Sequence, residues 1–227
     1  MTGTVYLGGG GSADEEAVVW SAMLHRRPRV LYWPFALEEA LLARAESWLR
    51  GALAGHAADL PLTTWTSLEA HDPAELADHD LLLVGGGNTF RLLHQVRVHG
   101  FLESTRRFVT QGGDFYGGSA GAILACDSIA IAAVYDDNDD GLTDLAGLGL
   151  VSGFALLPHA APSTHAVARR WSATHQVPVV AVPEASGLVV VDDSVTVAGP
   201  DPVWHFTAGE SRPLAAGTSV RLSLLTG

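Results

Sequence analysis

The sequence contains no lysine, so all 13 of its basic side chains are arginine. Without an ε-amine the chain cannot form a lysine Schiff base, the Ser-Lys pair of some hydrolases or the lysine-containing phosphate loop of Walker-type nucleotide hydrolases. Cysteine is almost absent, and the single thiol, Cys126, can form no internal disulfide or paired-cysteine metal site. With no possible internal disulfide, a cytosolic compartment fits best.

Long apolar runs and positive charge are also scarce. No apolar run approaches the ~18 residues that a membrane-spanning helix needs, and residues 1–16 lack the basic start and apolar stretch of an export signal. The 25 acidic residues exceed the basic ones and give a net charge of −12, which repels phosphate backbones and anionic lipids. We expect a cytoplasmic protein that binds neither nucleic acid nor membrane. The oligomeric state does not follow from the sequence.

Hydrophobic residues make up 48% of the 227 residues and come in short runs between stretches with helical spacing. Five runs have too little polar alternation for a half-exposed sheet and predict buried parallel strands: 4–7, 29–35, 81–84, 129–134 and 177–182. Apolar residues at i, i+3 and i+4 predict helices at 14–26, 37–53, 89–98, 102–111 and 163–173. This alternation is typical of a doubly wound, mostly parallel α/β sheet.

Beyond Gly187 the pattern changes to short hydrophobic runs separated by turn residues. The runs at 188–191, 194–198, 203–206 and 220–225 predict an antiparallel β extension packed on the same domain. No repeat or low-complexity linker marks a boundary. We predict one α/β domain over residues 1–227.

The strongest local motif is Gly-Gly-Ser-Ala-Gly-Ala at 117–122, which satisfies G-x-S-x-G between a predicted strand and an Ala-rich helix. A serine at such a turn projects its hydroxyl above the sheet edge, and flanking glycines relieve crowding. Ser119 is therefore a candidate nucleophile, and the Ala120 N–H at the helix start could stabilise an oxyanion. The alternative is a glycine-rich turn that only packs strand against helix.

A second glycine-rich turn, Gly-Gly-Gly-Asn-Thr-Phe at 85–90, also joins a predicted strand to a helix. Gly86 or Gly87 could donate the other oxyanion N–H, with Asn88 or Thr89 as the helix cap. Neither this turn nor the run at 8–11 has the spacing of a dinucleotide-binding motif. Both could also be simple tight turns.

A serine nucleophile needs a base and an acid to orient it. His159 follows the apolar segment 154–158, and Glu184 follows the apolar segment 177–183, so both are predicted to lie at strand ends. The alternatives are a satisfied histidine among the ten in the chain and a carboxylate that only caps a turn.

These segments together resemble the dipeptidase E (α-aspartyl dipeptidase) family of serine peptidases, over about residues 30–209. The resemblance rests on GGGNTF, GGSAGA, Pro-His at 158–159 and Val-Pro-Glu at 182–184, in that order. It implies a fold like class I glutamine amidotransferases, with Ser119 as nucleophile, His159 as base and Glu184 as orienting acid, and we therefore expect neither a metal nor another cofactor. It also implies a short peptide substrate that begins with aspartate.

The chain departs from the family pattern at two places. Gly118 stands where well-known members have Trp. Those members also carry an acid in the segment after the nucleophile helix, whereas the aligned residues 131–135 of this chain contain none and the first acid is Asp136. Candidates for substrate contacts are Arg170, Arg169 and Asn88. The alternative functions are a same-fold hydrolase of a cyanophycin-like or non-peptide acyl substrate, and a non-catalytic small-molecule-binding module.

Three other features have simpler interpretations. The acidic segment 136–141 resembles the start of a calcium loop, but position twelve is Gly147 instead of glutamate, which favours a solvated loop. Cys126 is interpreted as a core thiol. Tyr116, just before the serine turn, is interpreted as strand packing.

Overall fold

A computed structural model describes residues 2–226. The strands are short, and their bounds in chain order are β1 Val5–Gly8, β2 Val30–Trp33, β3 Leu62–Thr64, β4 Leu81–Val84, β5 Asp114–Gly118, β6 Ala155–Leu157, β7 Val179–Ala181, β8 Gly187–Val191, β9 Ser194–Ala198, β10 Val203–Phe206, β11 Ser211–Leu214 and β12 Ser219–Arg221. The α-helices are α1 Ala17–Leu24, α2 Glu39–Ala57, α3 Thr89–Val98, α4 Phe101–Thr110, α5 Ala120–Leu124 and α6 His165–His175.

Eight strands form the larger sheet in the order β12-β9-β8-β1-β5-β4-β2-β3. The five strands from β1 to β3 in that order pair in parallel, while β8, β9 and β12 continue the sheet in antiparallel pairs. A second sheet has the order β11-β10-β7-β6, of which only β6 and β7 pair in parallel. The predicted α/β class with an antiparallel C-terminal extension is confirmed.

Successive residues of the parallel strands contribute to two different hydrophobic clusters. Leu31 and Leu82 belong to one cluster, whereas Val30 and Leu81 belong to the other, together with α1 and α2 residues. Because strand side chains alternate between faces, both faces of the sheet are covered. Burial of both faces explains why polar residues do not alternate with apolar ones in the sequences of these strands.

Two of the sequence predictions need correction. Residues 129–134 are not a strand, since Ala130–Val134 form a 3₁₀ helix whose Ile131 and Ala132 are buried. A short apolar run indicates burial but does not distinguish a strand from a short helix, and three alanines lower its strand preference. The C-terminal run 220–225 is likewise only partly a strand, because a 3₁₀ turn begins at Leu222.

The pairing register brings three chain segments to one edge of the molecule. Gly8, at the end of β1, pairs with Gly118 on one side and with Gly187 on the other. The turn after β1 therefore lies between Ser119 and the segment that precedes β8. No helix in residues 2–226 is long and apolar enough to cross a membrane.

Candidate active site

Ser119 occupies a sharp turn between β5 and α5. Its backbone has φ 50° and ψ −105°, a conformation that costs energy for a residue with a side chain. The flanking glycines make this turn feasible, because a Cβ at Gly117 would overlap the backbone of Gly121 and Ala122. The predicted strand, turn and helix context of G-x-S-x-G is thus present around Ser119.

Ser119, His159 and Glu184 form a continuous line of hydrogen bonds. The Ser119 Oγ lies 2.8 Å from His159 Nε2, and His159 Nδ1 lies 2.8 Å from Glu184 Oε1. The imidazole can accept the serine proton at Nε2 while it donates from Nδ1 to the carboxylate. The His159 and Glu184 side chains are 38% and 56% exposed, so the pair faces solvent.

The two strand ends in the second sheet explain how the histidine and the glutamate meet. Leu157 of β6 pairs in parallel with Ala181 of β7, and His159 and Glu184 follow two and three residues later. His159 has φ 52°, and its N–H donates to the Gly9 carbonyl at 2.8 Å. This bond connects the histidine loop to the turn after β1.

The glycine turn after β1 packs directly on the imidazole. A Cβ at Gly10, which has φ 99°, would overlap the His159 ring, so only glycine fits there. Ser119 N–H also donates to the Gly8 carbonyl, at 3.3 Å. The turn therefore contacts both members of the Ser119–His159 pair.

Glu16 holds the glycine turn after β1 in place through hydrogen bonds to its backbone. Its carboxylate is fully buried and accepts hydrogen bonds from the N–H groups of Gly10 and Gly11, at 2.8 and 3.1 Å, and from the Tyr116 hydroxyl at 2.7 Å. Burial raises the pKa of Glu16 to about 7, although these donors oppose the shift. Burial and the adjacent Glu16 also raise the pKa of Tyr116 well above its ordinary value. Tyr116 is a packed strand residue as predicted, and it also holds this carboxylate.

The three backbone N–H groups that were candidates for an oxyanion hole are unpaired in the described part of the chain. Within residues 2–226, the N–H groups of Gly86, Gly87 and Ala120 donate to no backbone or side-chain acceptor. A Cβ on Gly86 would lie 3.2 Å from the Ser119 Cβ, so this turn is next to the serine. Gly87 has φ 132°, and a side chain there would overlap the Ala36 carbonyl.

The acidic loop after the 3₁₀ helix joins the glycine turn instead of the histidine. Asp136 Oδ2 accepts from the Thr89 N–H at 2.8 Å, at the start of α3. Asn88 caps the same helix, because its Oδ1 accepts from Arg91 N–H and its Nδ2 donates to the Asp137 carbonyl. Both polar atoms of the Asn88 side chain, a predicted substrate contact, are therefore hydrogen-bonded within the protein.

The two arginines predicted to bind substrate lie on α6, and neither lines the pocket that opens at Ser119. Arg169 donates to Ser211 Oγ at 3.2 Å, and its guanidinium stacks 5.6 Å from the centroid of the Phe206 ring. Arg170 is exposed and makes no hydrogen bond or ion pair among residues 2–226.

The pocket at Ser119 includes residues that the sequence did not single out. It is lined by α2 as well as by the glycine turns, and Arg44 is the cation on its wall. No sequence signal separates Arg44 from other helix arginines. Glu16 was equally inconspicuous, because an acid near the start of a predicted helix is usually solvated.

The geometry fits nucleophilic attack by Ser119 on a carbonyl. His159 is hydrogen-bonded to the serine as a base, and the neighbouring Gly86 and Ala120 have unpaired N–H groups. The described part of the chain has no group of three or more His, Cys, Asp or Glu side chains arranged to hold a metal ion. This arrangement is the kind that serine hydrolases use.

Comparison with known proteins identifies the class. The model of peptidase family S51 matches residues 5–198. Peptidase E of Citrobacter koseri is 32% identical over 210 residues, covering 86% of this chain and 87% of that protein. Peptidase E of Escherichia coli is 35% identical over 160 residues, covering 64% of this chain and 68% of that protein.

Solved structures show the same fold. A putative peptidase E protein from Listeria monocytogenes has a TM-score of 0.68 at 19% identity, covering 88% of this chain and 100% of that one. A peptidase from an acI-B1 Actinobacterium has a TM-score of 0.70 at 17% identity, covering 97% of both chains. The chain belongs to peptidase family S51. It is a serine peptidase, and its substrate is a peptide.

Proposed function

We propose that this peptidase is an exopeptidase that hydrolyses short peptides through an acyl-enzyme on Ser119, with His159 as base and Glu184 as orienting acid. The observation that supports this most is the pair of 2.8 Å hydrogen bonds that connects the three side chains. Asp136, the other acid considered from the sequence, is bound to the start of α3.

In the first step His159 Nε2 takes the hydroxyl proton as Ser119 Oγ attacks the scissile carbonyl. The oxyanion is held by N–H groups of Gly86 or Gly87 together with that of Ala120. Protonated His159 then gives its proton to the leaving amine as the peptide bond breaks. Water, deprotonated by the same imidazole, releases the acid product and regenerates Ser119.

Aspartate as the first residue of the peptide is a finer part of the proposal and rests on the family resemblance. A chain with a net charge of −12 must supply a local cation to accept an acidic side chain. Arg170 and Arg169 were the candidates from the sequence. Arg169 is engaged on the second sheet, which leaves Arg170 as the freer of the two.

A fluorophosphonate probe followed by peptide mass spectrometry tests the nucleophile. We expect one adduct, on Ser119, that disappears in Ser119→Ala and is strongly slowed in His159→Ala. An adduct at another residue in both variants would refute the assignment. Hydrolysis of Asp-Ala and Asn-Ala, compared in kcat/KM, tests the aspartate preference separately, because the two peptides have nearly the same shape.

A further inference from the structure

A pocket of about 880 Å³ opens at Ser119 and extends from the glycine turns to α2. Its size is typical of sites that enclose a whole small ligand. It exceeds what the side chain of one aspartate would fill. The pocket therefore has room for a second part of the substrate.

The walls of this pocket are aromatic and aliphatic. Trp20, Tyr32 and Leu83 line its inner part and are themselves buried. At the mouth, Leu41 and Trp48 are 47% and 60% exposed, and they extend the apolar lining of the pocket to the protein surface, as in patches that bind a ligand. The pocket therefore suits a bulky apolar group.

Arg44 is the single charged residue on these walls. It lies three residues after Leu41 and four before Trp48, so the three side chains share one face of α2. Within residues 2–226 Arg44 makes no ion pair or side-chain hydrogen bond, although acidic residues outnumber basic ones in the chain. Its guanidinium is available to bind a carboxylate in a fork of two hydrogen bonds.

We propose that this pocket binds the C-terminal residue of the peptide, with a bulky apolar side chain against Trp48 and Leu41 and the free α-carboxylate on Arg44. An amino acid is the simplest substrate part that carries an apolar group and an anion side by side. In a dipeptide this residue is the leaving group, so its recognition is compatible with aspartate at the first position. The assignment rests on the proposed exopeptidase function.

The test compares kcat/KM for Asp-Ala, Asp-Leu, Asp-Phe and Asp-Leu-amide. We expect Asp-Leu and Asp-Phe to exceed Asp-Ala by about tenfold or more, since several apolar groups enter the pocket. Asp-Leu should exceed its amide by about 10- to 100-fold, because the amide lacks the charge that Arg44 binds.

Variants locate these effects on α2. Arg44→Gln should remove the advantage of Asp-Leu over its amide, whereas Arg50→Gln, on the same helix but paired with Glu46, should retain it. Trp48→Ala should reduce the Asp-Leu to Asp-Ala ratio about fivefold or more. Val98→Ala, which truncates an exposed apolar residue of α3 away from the pocket, should leave that ratio unchanged.

The outcomes separate this inference from the proposed function. If Ser119→Ala abolishes hydrolysis but the wild-type enzyme cleaves Asp-Ala, Asp-Leu and Asp-Leu-amide equally well, the pocket assignment fails and the exopeptidase proposal survives. If Arg44→Gln lowers Asp-Leu and its amide equally while Asn-Leu is unaffected, Arg44 binds the aspartate side chain and the assignment is overturned. Undiminished hydrolysis by Ser119→Ala refutes the proposed function itself.

Discussion

Glu16→Gln should change how the stability of this protein depends on pH. The carboxyl of Glu16 has an ordinary pKa of 4.5 and is raised to about 7 by burial. Because the folded pKa is higher, the folded state prefers the protonated form. The stabilisation that protonation provides is complete below pH ~4.5 and is lost as the pH rises through ~7.

The magnitude follows from the two pKa values. A shift from 4.5 to about 7 corresponds to about 3 kcal/mol at 1.36 kcal/mol per pH unit. Glutamine is neutral at every pH, and its oxygen can still accept from the Gly10 and Gly11 N–H groups. The free energy of unfolding of Glu16→Gln should therefore rise relative to wild type by about 2 to 3 kcal/mol between pH 5 and pH 8.

Urea unfolding followed by tryptophan fluorescence at pH 5, 6, 7 and 8 measures this difference. Glu15→Gln is the matched control, because Glu15 is exposed and its hydrogen bonds to Ser12 lower its pKa. Its difference from wild type should not change above pH 5. A difference between wild type and Glu16→Gln that stays constant from pH 5 to 8 would contradict the burial argument.

Three further results are expected. Ser119→Ala should lower kcat by at least ~10³-fold without a change in unfolding midpoint, measured by peptide hydrolysis and urea titration. Glu184→Gln should lower kcat/KM at least ~10²-fold more than Asp136→Asn, because only the former carboxylate contacts the imidazole; a more damaging Asp136→Asn would move the acid into the loop. Cys126 is buried with its pKa raised to about 12, so iodoacetamide should label it only in denaturant, as mass spectrometry would show.

The parallel strands of the core were predictable, because a strand that is buried on both faces appears in the sequence as a short uninterrupted run of apolar residues. A strand that is covered on both faces needs apolar side chains at every position, as 81–84 shows. Edge elements lack this requirement: β3 and β11 carry half-exposed or exposed residues and were not predicted. The tail was predicted as one extension, but its strands divide between two sheets, since pairing partners are set by long-range packing.

The relation among Ser119, His159 and Glu184 was predictable in part, because each residue follows an apolar segment and parallel strand ends meet at one edge. The structure places these three side chains within hydrogen-bond distance. Their catalytic roles stay a prediction, as do the substrate contacts of Arg170, Arg169 and Asn88. The prediction of one domain over 1–227 also stays open to test.

Glu16 and Arg44 show why the other residues of the site could not be predicted from the sequence. A motif search finds residues whose chemistry is fixed by their neighbours in the chain, as glycines fix the turn at Ser119. Glu16 acts through Tyr116, one hundred residues away, and through a glycine turn that packs on His159. Arg44 lines the same pocket as Ser119 because α2 forms part of the pocket wall. The substrate selection that we propose for Arg44 therefore depends on where α2 lies, whereas the turn motifs identify the family.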